Sequence, residues 1–338
     1  MGRRMSADVK DAGRIVTVFG GSGFIGRHVV AALARDGWRV RVACRRPDLA
    51  FFLQPLGKVG QIFPVQANLR NPASVAAAVR GAEAVVNLVG VLAEGGKQKF
   101  STLHAQGAKA VAEAAVAAGV KHLVHVSAIG ADKNSHSAYA RTKAEGEAAI
   151  RAAFPGAVIL RPSVVFGPED EFFNRFGTLA RYLPFEPVIG EATRFQPVYV
   201  GDVAQAVALA VDGRAQAGAT YELGGPEVKT FRALVEYALK VAERDVKIWP
   251  LSFATGALIA RITQTLHSLS LGLFPSLLTT TVDQVELLRH DNVVSADAKA
   301  TGLTLQGLGI TPTAIEAIVP TYLYRYRKTG QYQAQRLA

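Results

Sequence analysis

Apolar and polar positions alternate along the first half of the chain in blocks that predict strand and helix in turn. The runs 14–19, 38–44, 61–66, 84–89, 122–127 and 157–161 are short and apolar, as buried strands are, whereas 24–35, 72–79, 104–118 and 137–153 have helical length and spacing. Strands alternating with helices build a parallel sheet covered on both faces, so the predicted class is α/β with a doubly wound sheet. The segment 104–118 is almost entirely Ala and Val, which suits close packing of a helix on a sheet.

Beyond Phe166 the regularity breaks. Pro168, Pro184, Pro187 and Pro197 predict a long loop, after which Val198-Tyr199-Val200 and a helix from Asp202 to Val211 return to the first unit, with Asp202 as the helix cap. The remainder carries a short strand at Tyr221-Glu222-Leu223, a Gly224-Gly225-Pro226 turn and a helix from Thr230. This predicts a smaller C-terminal α+β domain over the edge of the sheet where open α/β folds bind ligands. No internal repeat is present.

The turn between the first strand and the first helix reads Gly20-Gly21-Ser22-Gly23-Phe24-Ile25-Gly26. Three glycines at this spacing serve three purposes: Gly20 permits the tight turn, Gly23 lets a pyrophosphate reach the backbone, and Gly26 lets helix pack on strand. Phosphates then rest on the helix N-terminus, where unpaired N–H groups favour negative charge. The sheet is therefore expected to be of the Rossmann type. The organisation expected is a flexible tail 1–12, a dinucleotide-binding domain 13–212 with an excursion 167–196 towards the second domain, and a smaller domain 213–338 facing substrate, partner or membrane.

The second strand ends without the acid that an NAD site uses to hold the ribose hydroxyl; Arg45-Arg46 stand there instead, two guanidiniums able to clamp a 2′-phosphate. NADP(H) is accordingly preferred over NAD(H). Asn68-Leu69 after the third strand are expected near the adenine, and Asn87-Leu88-Val89-Gly90 after the fourth near ribose and pyrophosphate. Tyr139 and Lys143 lie four apart on one helix face behind Ser127. A nearby ammonium is expected to lower the phenol's pKa so that it can exchange a proton with a carbonyl that Ser127 orients, while the cofactor carries the hydride.

Composition narrows the setting. The 338 residues are 49% hydrophobic, with a net charge of +11 and one cysteine, Cys44, so no internal disulfide forms and Cys44 is expected to be strand filler. No basic run suggests nucleic acid. The seven histidines lack metal-ligand spacing, and no metal site is expected. Residues 1–12 lack an apolar run, which predicts neither signal nor transit peptide, although Met1-Gly2-Arg3-Arg4-Met5-Ser6 fits the myristoylation pattern. Leu258, Ile259, Ile262, Leu266 and Leu269 recur at helical spacing, followed by Leu271, Leu273, Phe274, Leu277 and Leu278. Too many Thr, Ser, Gln and His intervene for a membrane-spanning helix, so this segment either lies on a bilayer or a partner, or is a core helix of the small domain. Tyr322-Leu323-Tyr324-Arg325-Tyr326-Arg327-Lys328 mixes aromatic and basic residues as interfaces and headgroup-facing segments do, or is a solvated helix end.

Taken together, the glycine turn, Ser127, Tyr139, Lys143 and the run Arg161-Pro162 to Val165-Phe166-Gly167-Pro168 resemble the extended short-chain dehydrogenase/reductase superfamily over about two thirds of the chain. That resemblance implies Ser127, Tyr139 and Lys143 as catalytic positions and Arg161, Pro162 and Ser163 along the nicotinamide. Where that family often has a proton-relaying asparagine, this chain has His104. The stretches 154–170, Phe173-Asn174-Arg175-Phe176 and Gln196 to Val203 resemble more narrowly the NADPH-binding accessory subunit of respiratory complex I and its bacterial relatives. This implies tightly held NADPH, complex I subunits as partners, little or no turnover, and a cytoplasmic protein peripheral to the inner membrane, in contact with its anionic surface. Two alternatives stay open: an active NADP-dependent reductase or epimerase, and a reductase-like factor in ubiquinone biosynthesis.

Overall fold

The computed structural model describes residues 13–92, 94, 99–269 and 279–330. Its centre is a seven-stranded, wholly parallel sheet. Along the chain run β1 (Ile15–Phe19), α1 (Phe24–Arg35), β2 (Arg39–Cys44), β3 (Ile62–Gln66), α2 (Pro72–Val79), β4 (Ala84–Asn87), α3 (Gly107–Ala117), β5 (His122–Val126), α4 (Ala138–Ala153) and β6 (Val158–Pro162). The element order matches the expected alternation. Val16, Val18, Val40, Val42 and Val86 on one face of the sheet pack with Val29, Val30 and Leu33 of α1, and Phe19, Val85 and Leu123 on the other face with Val111, Ala112 and Ala115 of α3. Small side chains on α3 allow the close approach that its composition suggested.

Four expectations are corrected. The stretch 167–196 is structured: after β7 (Val165–Phe166) come α5 (Phe173–Tyr182), β8 (Phe185–Ile189) and β9 (Arg194–Phe195), because Phe173, Phe176, Leu179 and Ala180 supply a helical apolar stripe and the prolines sit outside the helix. Asp202 is no cap: α6 (Val200–Val211) follows β10 (Val198–Tyr199) and starts two residues earlier, and the Asp202 carboxylate accepts from Thr313 N at 2.7 Å and Thr313 Oγ1 at 3.0 Å. The strand at 220–223, β11 (Thr220–Leu223), pairs with β6 and so is the edge of the main sheet rather than part of the smaller unit, its inward Tyr221 and Leu223 joining the main core. The helix foreseen over 104–118 begins as one turn of π-helix, Ser101–Gln106.

The remaining elements are β12 (Lys229–Thr230), α7 (Phe231–Val241), β13 (Lys247–Leu251), α8 (Phe253–Leu269), α9 (Val282–Leu287), α10 (Ala296–Thr301), α11 (Ile315–Ile318) and α12 (Pro320–Leu323). As expected, a helix follows Thr230, whose side chain caps it by accepting from Ala233 N. A third core gathers Phe166, Phe173, Phe176, Leu234, Val235, Val319 and Leu323. Tyr322 and Tyr326 belong to it too, their hydroxyls donating to Asp170 at 2.5 Å and Asn174 at 3.1 Å. Neither tyrosine is available to the interface expected at 322–328, because the third core and these polar anchors bury both.

Cys44 is half-buried at the end of β2 and free, and burial pushes its thiol up. On α8, Leu258, Ile259, Ile262 and Leu266 are all at least 40% exposed while Ala260 is fully buried, so these four apolar side chains are not core. The Leu269 side chain, 270–278 and the tail 1–12 lie outside the described residues. No described helix is long and apolar enough to cross a membrane. No metal-binding cluster exists among the described residues.

Candidate dinucleotide cleft

At the C-terminal end of β1 the glycine turn has the geometry that its spacing implies. Gly20 takes φ +79°, and Gly23 N donates to its carbonyl at 3.1 Å. A Cβ on Gly26 would lie 2.2 Å from the Gly20 oxygen, so only glycine lets α1 start here. A Cβ on Gly23 would meet that same oxygen alone, at 3.4 Å, leaving the approach to the helix end open. Gly23 caps α1 without a side-chain hydrogen bond, and the first turn carries no acid. The N–H groups of Phe24, Ile25 and Gly26 thus have no intrahelical acceptor, and a helix end of this kind favours negative charge. Gly21 packs against Val42, and Ser22 is half-buried in the turn.

Around this turn lie the other expected cofactor residues. Arg45 is exposed at the end of β2; Arg46 beside it is held in a two-oxygen pair with Asp48, Nη2 to Oδ2 at 2.7 Å. That pair leaves Arg45 as the uncommitted guanidinium of the two. Asn68 spends its Oδ1 on Arg70 N at 3.1 Å, and Leu69 is buried. Asn87 is fully buried, accepts from Val89 N at 3.1 Å, and its Nδ2 has no hydrogen-bond partner among the described residues. Gly90 leaves room for Lys143: a Cβ there would lie 3.0 Å from Lys143 Nζ.

Ser127, Tyr139 and Lys143 come together between the sheet and α4. Ser127 is 4% exposed and its hydroxyl lacks a partner among the described residues. Lys143 is 5% exposed, its Nζ 3.4 Å from the Val126 carbonyl and 5.8 Å from the Tyr139 ring centre. The Tyr139 ring meets Phe100 and His104 edge-on, at 5.9 and 5.4 Å. These orphaned buried polar atoms and the open glycine cradle fit a dinucleotide, whose hydroxyls and carboxamide can satisfy them.

The electrostatics depart from expectation. Burial pushes the Tyr139 phenol up to about 12, and the charge of Asp283 adds to the rise. Burial likewise brings Lys143 down to about 8 against the opposing pull of Glu147. Removing both charges from water outweighs the attraction that was to have lowered the phenol. His104 is 2% exposed; its Nε2 accepts from Val91 N at 3.1 Å, which places its proton on Nδ1, 3.1 Å from Thr142 Oγ1. Burial, then the Lys143 charge, hold that imidazole neutral, down to about 3. Both ring nitrogens are committed to the protein.

The segment foreseen along the nicotinamide is largely committed as well. Arg161 forms a two-bond pair with Glu147, at 2.8 and 2.6 Å, and Ser163 donates to Asn292 Oδ1 at 2.6 Å. Their side chains therefore brace α4 and the C-terminal segment; Pro162 is buried, and its carbonyl accepts from Ile129 N. Two residues missed at the sequence level complete the frame. Asp283 accepts from Ser137 Oγ, Ala138 N and Tyr139 N at the start of α4, and Asn292 joins Ser163, Val164 and Ile129. No local pattern marks either residue, since their partners lie more than a hundred positions away.

Residues 20–172 match the NAD(P)H-binding family. NADH dehydrogenase (ubiquinone) 1 alpha subcomplex subunit 9, mitochondrial, of Rattus norvegicus is 33% identical over 318 residues, 94% of this chain and 81% of the relative. A ceramide reductase of Caulobacter vibrioides is 37% identical over 194 residues, 57% of this chain and 60% of the relative. Among solved structures, the dTDP-glucose 4,6-dehydratase DesIV of Streptomyces venezuelae, with NAD bound, superposes with a TM-score of 0.69 at 22% identity, covering 95% of this chain and 99% of that one. That likeness concerns the fold, a short-chain dehydrogenase type. With identity and coverage of this extent, the chain belongs to the NAD(P)H-binding family of the NADH dehydrogenase (ubiquinone) 1 alpha subcomplex subunit 9.

Proposed function

We propose that this chain holds NADPH as a structural cofactor and serves as an accessory subunit of a membrane-bound respiratory NADH:quinone oxidoreductase, with other subunits of that complex as partners. The observation that carries the reading is His104. A dehydrogenase of this fold needs a route by which protons reach the buried lysine and tyrosine, and here the residue at the relay position is neutral with both nitrogens bonded to Val91 and Thr142. A phenol pushed up to about 12 stays protonated at neutral pH, so it donates a hydrogen bond but is a poor base. Family membership supports the same reading.

In this account the first turn of α1, from Gly20 to Gly26, holds the pyrophosphate, Arg45 holds the 2′-phosphate, and Tyr139 and Lys143 donate to the nicotinamide ribose. Asn68, Leu69, Asn87, Val89, Gly90 and the backbone of 161–163 line the remainder. Bound NADPH would carry the hydride of its nicotinamide; the residues here fix its position and exclude water. The exposed Leu258, Ile259, Ile262 and Leu266 support peripheral contact with the anionic inner-membrane surface, on its cytoplasmic side, consistent with the net charge of +11. Co-sedimentation with anionic and neutral vesicles tests this contact; equal absence of binding to both would remove it.

A second reading, an active reductase, is favoured by Ser127, Tyr139 and Lys143 lying together and by the similarity to a ceramide reductase. A role in quinone biosynthesis would share that chemistry. Both are tested by incubating the NADPH-loaded chain with ketones, sugar nucleotides and quinones: the accessory reading predicts no oxidation above that of Tyr139→Phe.

A further inference from the structure

Between β2 and β3 the usual order of polar outside and apolar inside is inverted. In the 3-10 segment Pro47–Leu56, the inward positions are already filled: Ala50 and Leu53 are fully buried. The outward positions are nevertheless Leu49, Phe51, Phe52 and Leu56, exposed by 64, 53, 48 and 41%, and Val59 follows in full contact with solvent. A run of large apolar groups this dense on an exposed ridge marks an interaction surface. Cations border it: Arg45 and Lys58 are exposed, and the Arg27 guanidinium sits 5.1 Å from the Phe52 ring centre. The segment's single acid, Asp48, is already paired with Arg46.

We propose that this strip is a docking face for another protein subunit, whose complementary surface carries apolar side chains rimmed by carboxylates. This rests on the accessory reading above. The ridge is preorganised for such a contact: Gln61 ties it down by accepting from Lys58 N at 2.8 Å and donating to Ala34 O at 2.6 Å and Trp38 O at 3.0 Å. Strand addition at the neighbouring edge strand is impeded because β3 carries Pro64, which has no N–H. Recognition therefore falls to side chains. A short ridge with prolines at positions 47 and 55 presents separate knobs that suit pockets on a protein, whereas the outer face of α8 offers the long, even stripe that suits a bilayer.

The test replaces the chromosomal copy with the full chain carrying Phe51→Glu and Val59→Glu, or Lys58→Glu, and follows its co-migration with the NADH-oxidising complex on native gels of mild-detergent extracts. The purified variants are checked for unchanged melting temperature and NADPH affinity. The expected result is at least a tenfold loss of co-migrating chain for the double variant, and release of Lys58→Glu at lower salt than the unaltered chain. Full co-migration of the double variant would overturn the docking face while leaving the accessory reading intact; failure of the unaltered chain to co-migrate would overturn both. Parallel loss of binding to anionic vesicles would assign the strip to lipid, and loss of a dimer in light scattering would assign it to a second copy; either result overturns the proposal.

Discussion

Asp283 accepts the backbone N–H of Tyr139 at 3.2 Å, so a residue of the C-terminal part caps the helix that presents the phenol. The same carboxylate accepts from Ala138 N at 2.6 Å and from Ser137 Oγ at 2.8 Å, satisfying the orphan donors of the first turn of α4. Asp283→Ala should cost roughly 1–2 kcal/mol of stability in denaturant titration, and Asp283→Asn about half as much, because an amide oxygen still accepts. Equal stability of all three proteins would show that the cap contributes nothing.

The glycine turn separates binding from folding. Gly26→Ala forces its Cβ to 2.2 Å from the Gly20 oxygen, and should destabilise the chain by about 3 kcal/mol, the upper range for overpacking. Gly23→Ala meets only a 3.4 Å contact, and should cost about 1 kcal/mol or less as a change of helix cap. Yet that methyl stands where a pyrophosphate approaches, so NADPH affinity should fall by at least about tenfold. Calorimetric titration beside thermal melts measures both; unchanged affinity in Gly23→Ala would remove the phosphate from this turn.

Arg45 is predicted to decide which nucleotide is held. Arg45→Asp removes a charge-assisted bond and places like charge beside the 2′-phosphate, so NADPH affinity should drop by about 10- to 100-fold. NADH affinity should change little. Equal losses for both nucleotides would place Arg45 away from the 2′-phosphate.

Acid should loosen the fold through two imidazoles. His104 and His125 are both held down to about 3, chiefly by burial and next by the Lys143 charge. Unfolded histidine binds its proton near 6.5, so the unfolded chain carries more protons between about pH 6.5 and 3, and stability present above that window is lost as pH falls through it. The ring nitrogens of His125 make no hydrogen bond of good geometry, only a weak contact with the Asn87 backbone, so His125→Leu should be nearly neutral at pH 7 and flatten the acid slope. An unchanged slope of unfolding free energy against pH would contradict this.

What was legible in the sequence was what local sterics dictate. The glycine spacing foretold a turn that other residues cannot make, and Tyr139 and Lys143 on one helix face needed only the helical period. The partners of Arg46, Arg161 and Ser163, namely Asp48, Glu147 and Asn292, become visible only in three dimensions, because a committed side chain reads in sequence like a free one. The α5 helix was hidden by flanking prolines, and the Tyr139 phenol by the assumption that a neighbouring ammonium outweighs burial. Asp202, read as a cap, serves instead to hold Thr313, 111 residues away.

The most direct test of a structural cofactor is to denature the chain as purified, identify the released nucleotide by mass, and follow its exchange with labelled NADPH in intact protein. Close to one NADPH per chain is expected, retained through dialysis and left reduced by added carbonyl compounds and quinones. NADPH that exchanges freely, and is oxidised by an added acceptor in a reaction lost in Tyr139→Phe, would contradict it.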